Sequence, residues 1–396
     1  MKKMLFALFL SGFMLLFWFQ PASAESGQKS KTPKKSVIGV ILPFSSAFKD
    51  IANEEKNAIE MALAEAVSQA EVIFKDGGND PEGAIQAFKA LAERKQKPVA
   101  VISCASWASN AIHPLAAKAD IFHIAIGSAI IDRKHSRRTV RFTLDAEQEE
   151  RQLAEYLSKF NRIAVYNMDN GYGNNWADII KDNFQDKIVA SIAYDPQSPD
   201  LAPELSAIKK ENPDALVLLS AGNAALIAKQ AKKMGIDAQL VGTRPIERPG
   251  LLDEPAANGL VYTYPSHSFS HPLLAEYEKA HGTPPTFFGI EAYDAVTTLI
   301  SALKANNDSP DMLFDWYAGR TYNGALGEVH FDENGDASYP YMYKQVREGK
   351  FEVADFQFAL LLCKPSSLFD NTRLDPVGFS IYHIQQFFKR AVKNKA

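Results

Sequence analysis

Short apolar runs alternate with longer stretches in which apolar residues recur every three to four positions. Val37–Leu42 and Val99–Ser103 have the length and composition of strands buried on both faces, whereas Ile51–Ala66 and Ala84–Ala92 have the spacing of one helix face. This alternation continues up to Thr143. It predicts a series of parallel strands connected by helices.

The same alternation restarts after Asp145 and continues to Tyr264. Two α/β series of similar size favour two similar lobes over one large sheet. Further along, Gly327–Asp332 and Tyr341–Arg347 alternate apolar and polar residues around the turn Glu333–Asp336, which predicts a hairpin. The predicted fold is therefore α/β, with two doubly wound parallel-sheet lobes.

The two ends of the chain differ in composition from the lobes. Residues 1–24 read as a signal peptide, because Lys2 and Lys3 precede the apolar run Met4–Phe19 and Ala24 ends a small-residue cleavage site. Residues 25–35 are polar and basic and are predicted to be a flexible lead-in, and residues 354–396 form a C-terminal extension of open role. We expect export to the periplasm and cleavage after Ala24.

Charge and cysteine content exclude some classes of function. A net charge of −4 over 396 residues lacks the basic footprint of a nucleic-acid-binding protein. The two cysteines, Cys104 and Cys363, are too few for a disulfide framework, and we expect two buried free thiols.

Small polar residues follow two neighbouring predicted strands. Cys104–Asn110 joins a strand to a helix, and Gly127–Ala129 closes the next strand. In open α/β sheets, ligands bind outside the carboxyl ends of the strands, where a helix N-terminus offers unpaired N–H groups. Ser106 is expected to cap its helix, a role compatible with ligand contact. Tight strand-to-helix turns alone explain the same composition, so the residues leave both readings open.

Two other groupings were weighed as catalytic or metal sites. Cys104 and His113 offer a nucleophile and a base, but no third residue is placed to orient them. His267 and His271 are four residues apart, but Pro272 and neighbouring serines indicate a loop rather than a metal-binding helix. We therefore expect no enzyme activity, no cofactor and no metal.

Six segments, in order along the chain, resemble the type I periplasmic binding proteins of the leucine/isoleucine/valine-binding family, the solute receptors of ABC importers. Each motif alone is weak, whereas the ordered set with its spacing is specific, and it covers about Val37 to Glu352. The segments are Pro43–Ser45, Asp76–Pro81, Ser106–Ala116, Gly171–Gly173, Gly289–Val296 and Phe331–Asp336.

The resemblance implies two lobes joined by three crossovers, with the ligand bound in the cleft between them by hinge closure. Lobe 1 is then residues 36–144 plus 266–320, and lobe 2 is residues 145–265 plus 321–353. The hinges fall near Leu144, Pro265 and Thr321. The implied partners are a small-molecule solute and an inner-membrane ABC permease, with a monomeric receptor and no nucleic acid.

The resemblance also implies a set of ligand-binding residues. In the family, a serine pair and a Ser-Ala-Thr turn hold the ligand carboxylate, and a tyrosine of the second lobe faces the cleft. Ala129 lacks the usual hydroxyl, and Trp107 replaces a small residue, as either a pocket wall or a core residue. The predicted set is Ser45, Ala105, Ser106, Trp107, Gly127, Ser128, Ala129, Tyr172, Asn223 and Arg244.

Arg244 is the most informative departure from the family. Amino-acid receptors of the family carry an acidic residue near this position, which pairs with the ligand ammonium. Arginine repels an ammonium and attracts an anion, unless this arginine is simply exposed after its turn. The prediction is a receptor for an amino-acid-like or carboxylate solute. The alternative is a ligand sensor or an activator of an envelope enzyme with the same fold.

Overall fold

The structure is a computed structural model that describes residues 35–66, 70–128, 137–143, 146–305 and 309–354. Within them, unit 1 comprises the residues up to Glu149 and Ser266–Tyr339, and unit 2 comprises Glu150–Pro265 and the residues from Pro340 onward. The predicted signal peptide, Ala129, Leu144, Cys363 and almost all of the predicted extension lie outside the described residues, as does the lead-in except for Lys35.

Strands and helices alternate through most of the described chain. The strands are β1 (Ser36–Leu42), β2 (Ala70–Asp76), β3 (Ala100–Cys104), β4 (Phe122–Ile126), β5 (Thr139–Arg141), β6 (Ile163–Met168), β7 (Ile188–Tyr194), β8 (Ala215–Leu219), β9 (Gln239–Gly242), β10 (Val261–Pro265), β11 (Thr321–Gly324), β12 (Gly327–Phe331), β13 (Ala337–Ser338), β14 (Tyr341–Arg347) and β15 (Lys350–Val353). The helices are α1 (Lys49–Glu65), α2 (Pro81–Ala92), α3 (Ser106–Ala119), α4 (Ala146–Leu157), α5 (Gly171–Phe184), α6 (Ala202–Lys210), α7 (Ala224–Met234), α8 (Pro249–Leu252), α9 (Pro272–His281), α10 (Phe287–Lys304) and α11 (Pro310–Tyr317).

The main sheet of unit 1 is parallel, with the strand order β2-β1-β3-β4-β5. The chain moves to one side of β1 for β2 and to the other side for β3, so the strand order reverses between β1 and β3. Ligands of doubly wound folds bind at the carboxyl ends of the strands beside such a switch point. In unit 1 this point lies beside Leu42 and Cys104.

Apolar faces predicted from the sequence form the core of unit 1. Helices α2 and α3 pack against each other, and their apolar residues share a buried cluster with the sheet. That cluster includes Phe88 and Leu91 of α2, Val101 of β3 and Ile112 of α3. Because these residues recur at helical spacing in α2 and α3, the sequence pattern and the packed face coincide.

The N-terminus of α2 agrees with the prediction from the sequence, whereas that of α3 differs from it. Asp80 caps α2, accepting the Gly83 N–H at 2.9 Å, and Pro81 is the first helical residue, as predicted. Ser106 was expected to cap α3, but the N-cap residue is Ala105 and Ser106 is the first residue of the helix. Ala105 has a positive φ, and the helix therefore begins one residue earlier than a Ser106 cap would require.

A small antiparallel sheet, β11-β12-β13, completes unit 1. The predicted hairpin between Gly327–Asp332 and Tyr341–Arg347 is wrong, because β12 pairs with β11 and β13 whereas β14 pairs with β10 in unit 2. The chain passes from unit 1 to unit 2 at Tyr339 and Pro340, later than the predicted crossover near Thr321.

Asp294 of α10 holds the small sheet in unit 1. Its Oδ1 accepts the Ala325 N–H at 3.0 Å, and its Oδ2 accepts the Leu326 N–H at 2.8 Å. Both N–H groups belong to the turn between β11 and β12, so one buried carboxylate fixes this turn on α10. Asp294, which lies in the segment Gly289–Val296, thus helps to keep β11 and β12 in unit 1, although the predicted lobe 2 includes residues 321–353.

The sheet of unit 2 has the order β15-β14-β10-β9-β8-β6-β7. Strands β6 to β10 are parallel, and β14 and β15 add antiparallel to the β10 side. The order reverses between β6 and β8, so unit 2 has its own switch point, beside Met168 and Leu219. The predicted α/β architecture with two parallel-sheet lobes is confirmed.

Candidate functional site

Each unit places predicted site residues at the carboxyl ends of its parallel strands. We call residues 43–46, 105–107 and 127–128, which follow β1, β3 and β4, the first carboxyl edge. Residues 169–172, 220–223 and 243–244, which follow β6, β8 and β9, form the second carboxyl edge.

At the first carboxyl edge, α3 begins without a side-chain cap. Ala105, its N-cap residue, has φ 82° and makes no side-chain cap hydrogen bond. This φ lies in the region that only glycine adopts easily, so the backbone is strained here. The free N–H groups of the first turn and the half-buried Ser106 hydroxyl make this helix start suited to an anion.

Trp107 has the core contacts of one of the two roles that the sequence left open. Its ring lies 5.5 Å from the ring of Phe48 and packs against the apolar cluster of α2 and α3. Its indole Nε1 is buried and has no hydrogen-bond partner in the described part of the chain. An unpaired indole N–H beside an open helix start is a further donor for a polar ligand.

Ser45 is tied to β2. Its N–H donates to Asp76 Oδ1 at 3.2 Å, and the Gly78 N–H donates to the same oxygen at 3.0 Å. Partial burial acts to raise the pKa of Asp76, but the hydrogen bonds from Gly78 and Ser45 outweigh it and lower that pKa. Asp76 therefore stays ionised and fixes the loop that carries Ser45.

The turn after β4 is held from inside the protein. The Gly127 N–H donates to Glu291 Oε2 of α10 at 3.0 Å, and the Ser128 N–H donates to Thr143 Oγ1 at 3.0 Å. The Thr143 hydroxyl in turn donates to Glu291 Oε1. The two backbone donors that the family resemblance assigns to a ligand carboxylate are thus engaged by the chain's own side chains.

Cys104 lies behind this turn as a buried free thiol. A Cβ on Gly127 would lie 2.6 Å from Cys104 Sγ, so the close approach of these two strand ends requires glycine. Burial, and then the nearby carboxylate of Glu55, raise the pKa of the Cys104 thiol well above its ordinary value. Cys104 is therefore a neutral, unreactive thiol.

At the second carboxyl edge the equivalent helix start is closed. Asn170 caps α5, its Oδ1 accepting the Gly173 N–H at 2.9 Å. A Cβ on Gly173 would lie 2.0 Å from the Met168 carbonyl oxygen, which explains the second glycine of the Gly-Tyr-Gly motif. One backbone N–H group in the first turn of α5 is therefore already bonded to the Asn170 side chain, whereas α3 has no such side-chain cap.

The side chain of Tyr172 reaches across the carboxyl end of β8. Its hydroxyl is hydrogen-bonded to Thr243 Oγ1. Because Tyr172 follows β6 and Thr243 follows β9, the side chain crosses the carboxyl end of β8, which lies between them. Burial raises the pKa of Tyr172, so its hydroxyl stays protonated at neutral pH.

Arg244 is buried, with 3% of its surface exposed, so it is not the exposed arginine of the alternative interpretation. Its Nη1 donates to the Tyr341 hydroxyl at 3.3 Å. Tyr341 begins β14, so Tyr172, Thr243, Arg244 and Tyr341 form a polar and aromatic row along the second carboxyl edge. A buried guanidinium in such a row favours a planar anion as its ligand.

A second buried cation lies further along β14. Lys344 Nζ pairs with Glu247 Oε2 at 2.6 Å, and Tyr262 donates its hydroxyl to the same carboxylate. Lys344 also lies 4.2 Å from the ring centroid of Tyr264. The charge of Lys344 is therefore compensated within the protein by Glu247.

The remaining predicted residues have structural contacts. The Asn223 amide donates to the Pro196 carbonyl at 3.1 Å, and His113 is bonded to Thr139 at 2.7 Å rather than to Cys104. His271 caps α9, accepting the Leu273 N–H at 3.3 Å, while His267 stacks with Phe269. Among the residues that the structure describes, no group of three or more His, Cys, Asp or Glu side chains is arranged to hold a metal ion.

Comparison with protein families decides the assignment. The family model described as periplasmic binding protein matches residues 36–350, which is most of the chain. The chain belongs to the periplasmic binding protein family. Several structurally similar proteins are described as solute- or substrate-binding proteins of ABC transporters. None of the helices described in this structure is long and apolar enough to cross a membrane.

Solved structures agree with this family. An extracellular ligand-binding receptor from Desulfohalobium retbaense is 54% identical with a TM-score of 0.80, and the match covers 83% of this chain but 61% of that one. This periplasmic binding protein thus spans less than two thirds of that receptor's length. A leucine-binding protein from Thermotoga maritima is 22% identical (TM-score 0.73), covering 81% of this chain and 97% of that one.

A third similar structure is a solute-binding protein from Rhodopseudomonas palustris, in complex with 3,4-dihydroxybenzoic acid. It is 23% identical with a TM-score of 0.72, and the match covers 80% of this chain and 95% of that one. At this identity the likeness concerns the fold. A comparison with curated protein sequences gave no match.

Sequence reasoning missed four residues that shape the edges: Glu291, Thr143, Thr243 and Tyr341. Glu291 stands within the quoted segment Gly289–Val296, and a charged residue amid apolar helical positions was an available signal. Thr243 precedes Arg244 directly. Tyr341 carried no signal, because its strand was assigned to a hairpin and not to the sheet of unit 2.

Proposed function

We propose that this periplasmic binding protein is the solute receptor of an ABC importer and that its solute is a small organic anion. The observation that carries this proposal is the buried guanidinium of Arg244 at the second carboxyl edge, next to the Tyr172–Thr243 pair and the Tyr341 hydroxyl. An arginine held in this way repels an ammonium group, which argues against a zwitterionic amino acid.

The first carboxyl edge supports the same class of solute. The uncapped start of α3, the Ser106 hydroxyl and the buried Trp107 N–H are donors, and donors favour a carboxylate. Solutes of this kind are known for two structural neighbours, which were solved with 3,4-dihydroxybenzoic acid and with benzoate. We therefore take aromatic carboxylates as the first probes.

The proposed mechanism follows the family resemblance. The solute docks through its carboxylate on the first carboxyl edge, the second edge closes over it by hinge motion, and the permease receives the closed form. Of the predicted set, Ser106, Trp107, Tyr172 and Arg244 are proposed as direct contacts. Ser45, Ala105, Gly127, Ser128 and Asn223 are proposed to shape the edges, and Ala129 stays a prediction.

A thermal-shift panel tests the proposal. Benzoate, 3,4-dihydroxybenzoate and leucine are compared at 1 mM with benzamide, which has the shape of benzoate and no charge. A solute at about one hundred times its Kd stabilises the folded state by about 2.7 kcal/mol, which raises Tm by several degrees. We expect a benzoate-type acid to shift Tm and benzamide not to shift it. Stabilisation by leucine alone would overturn the proposed solute class.

A further inference from the structure

The turn after β4 contains a carboxylate that belongs to the protein. Glu291 is fully buried on α10, and its two oxygens take different donors. Oε2 accepts the Gly127 N–H at 3.0 Å, and Oε1 accepts the hydroxyl of Thr143. Thr143 Oγ1 accepts the Ser128 N–H at 3.0 Å, so the N–H groups of Gly127 and Ser128 both lead to the same side chain.

The backbone of this turn explains why a carboxylate suits the position. Gly127 has φ 56°, and successive N–H groups in such a conformation point into a common concavity that binds anions. A residue with a side chain does not fit at position 127, because its Cβ would lie 2.6 Å from Cys104 Sγ. In this turn the Gly127 N–H meets the Glu291 carboxylate of α10 directly, and the Ser128 N–H is linked to the same carboxylate through the Thr143 hydroxyl.

We propose that Glu291 is a positioning residue for the first carboxyl edge, which occupies the β4 turn in place of a solute carboxylate. The solute's acid group is then received by the start of α3 and not by Gly127 and Ser128. This inference deepens the proposed function and rests on it for the solute, whereas the occupation of the turn by Glu291 is independent of any solute.

The relay through Thr143 extends this role beyond the turn. Thr143 follows β5 and lies close to the passage of the chain from unit 1 to unit 2 at Glu149 and Glu150. Through one carboxylate, α10 holds both the turn after β4 and the segment that leads to that passage. Loss of Glu291 therefore removes a hydrogen-bond partner of both Gly127 and Thr143.

Chemical rescue tests the occupation directly. Glu291→Ala leaves two donors around a cavity the size of a small carboxylate, so formate at 100 mM is the probe and formamide is its neutral control. We expect Glu291→Ala to lower Tm by roughly 5 to 10 °C and formate to restore at least a third of the loss. Formate is expected to leave the wild-type Tm unchanged, since Glu291 already fills the turn.

Matched variants keep this test decisive. Glu278→Ala, at an exposed glutamate of α9, is expected to show neither the loss of Tm nor the response to formate. If Glu291→Ala does not fold, Glu291→Gln is measured instead: we expect a smaller loss of Tm, because one oxygen can still accept a hydrogen bond, and no response to formate, because the amide fills the site. Equal formate responses in wild type and Glu291→Ala overturn the occupation of the turn.

Solute binding tests the positioning role separately. In Glu291→Ala we expect the Kd for benzoate to rise at least tenfold and to recover with formate, which a purely global loss of stability does not produce. If wild type binds no acid of the panel, the proposed solute class fails while the formate result still stands. If benzoate binds Glu291→Ala as tightly as wild type, the positioning role is wrong and the proposed function is untouched.

Discussion

The two carboxyl edges have the same strand-turn-helix topology but offer different groups to a solute. At the first edge, the N-cap residue of α3 is Ala105, which provides no side-chain cap, whereas at the second edge the Asn170 side chain caps α5. The first edge therefore presents backbone donors, and the second presents the side chains of Tyr172 and Arg244. One topology can thus supply an open helix start or a closed one, and a single cap residue decides which.

The buried carboxylates of the two units differ in the same sense. In unit 1, Glu291 and Asp294 accept backbone N–H and hydroxyl groups, whereas in unit 2 Glu247 is paired with Lys344. Hydrogen bonds from neutral donors leave an acid sensitive to pH, whereas an ion pair makes each partner dependent on the other. The predictions below test these contrasts.

Breaking the ion pair of unit 2 is expected to have the largest effect. Lys344→Met leaves the Glu247 carboxylate buried without its cation, and we expect the free energy of unfolding to fall by about 3–5 kcal/mol, measured by urea denaturation. Lys181→Met is the control, because Lys181 pairs with Asp178 on an exposed surface of the same unit. The control is expected to cost less than about 1 kcal/mol. Similar losses in both variants would contradict the contrast.

Removing the charge of Arg244 is expected to come next. If a benzoate-type acid binds, Arg244→Gln is expected to raise its Kd about 100-fold, which corresponds to about 2.7 kcal/mol. Isothermal titration calorimetry provides the measurement. Arg244→Lys keeps the charge but not the planar fork, and it should lie between wild type and Arg244→Gln. An unchanged Kd in Arg244→Gln would remove the second edge from the anion site.

Asp294 gives unit 1 a dependence on pH. Burial raises its pKa from the ordinary 3.8 to about 7, although the N–H groups of Leu326 and Ala325 act to lower it. The folded state then binds a proton that the unfolded state has released, so this group's contribution is present below about pH 4 and is lost as pH rises through 7.

Asp294→Asn tests that dependence. Between about pH 4 and pH 7, the wild-type free energy of unfolding should contain a decline of up to about 1.4 kcal/mol per pH unit from Asp294, and the variant should lack it. Denaturant titrations at several pH values measure the difference between the two curves. A difference that does not vary with pH would show that Asp294 stays ionised throughout this range.

The helix starts are expected to show the smallest effects, of opposite sign. Asn170→Ala removes the cap of α5 and should destabilise the protein by about 1 kcal/mol. Ala105→Gly relieves the positive φ and should stabilise it by about 1 kcal/mol, whereas Ala108→Gly, within the same helix, should destabilise it by a similar amount. Chemical denaturation measures all three. Destabilisation by Ala105→Gly would show that Ala105 is not strained.

The regular elements and the edges themselves could be predicted from the sequence. Buried parallel strands are continuous apolar runs in the sequence. The pair Asp80–Pro81 has the residue types that are typical of a helix start, and α2 begins there. The order of small and polar residues placed Ser106, Tyr172 and Arg244 at strand ends correctly. These signals are local, and the physics that produces them acts over one strand or one helical turn.

Long-range partners could not be predicted in the same way. Tyr341 was assigned to a hairpin with β12, because alternation shows that a segment is a strand but does not show which strand it joins. The N-cap at Ala105 was missed because a positive φ is uncommon for alanine and no local sequence pattern indicates it. Nothing near Gly127 in the sequence indicated that Glu291 would reach it.

The buried thiol of Cys104 has a practical consequence for measuring these effects. Because its pKa is raised by burial and by Glu55, it is expected to resist maleimide reagents at neutral pH. With Cys363 replaced by serine, a cysteine introduced at Asn223 becomes the intended attachment point for an environment-sensitive dye. A change in dye fluorescence on addition of benzoate would then report binding of the proposed solute.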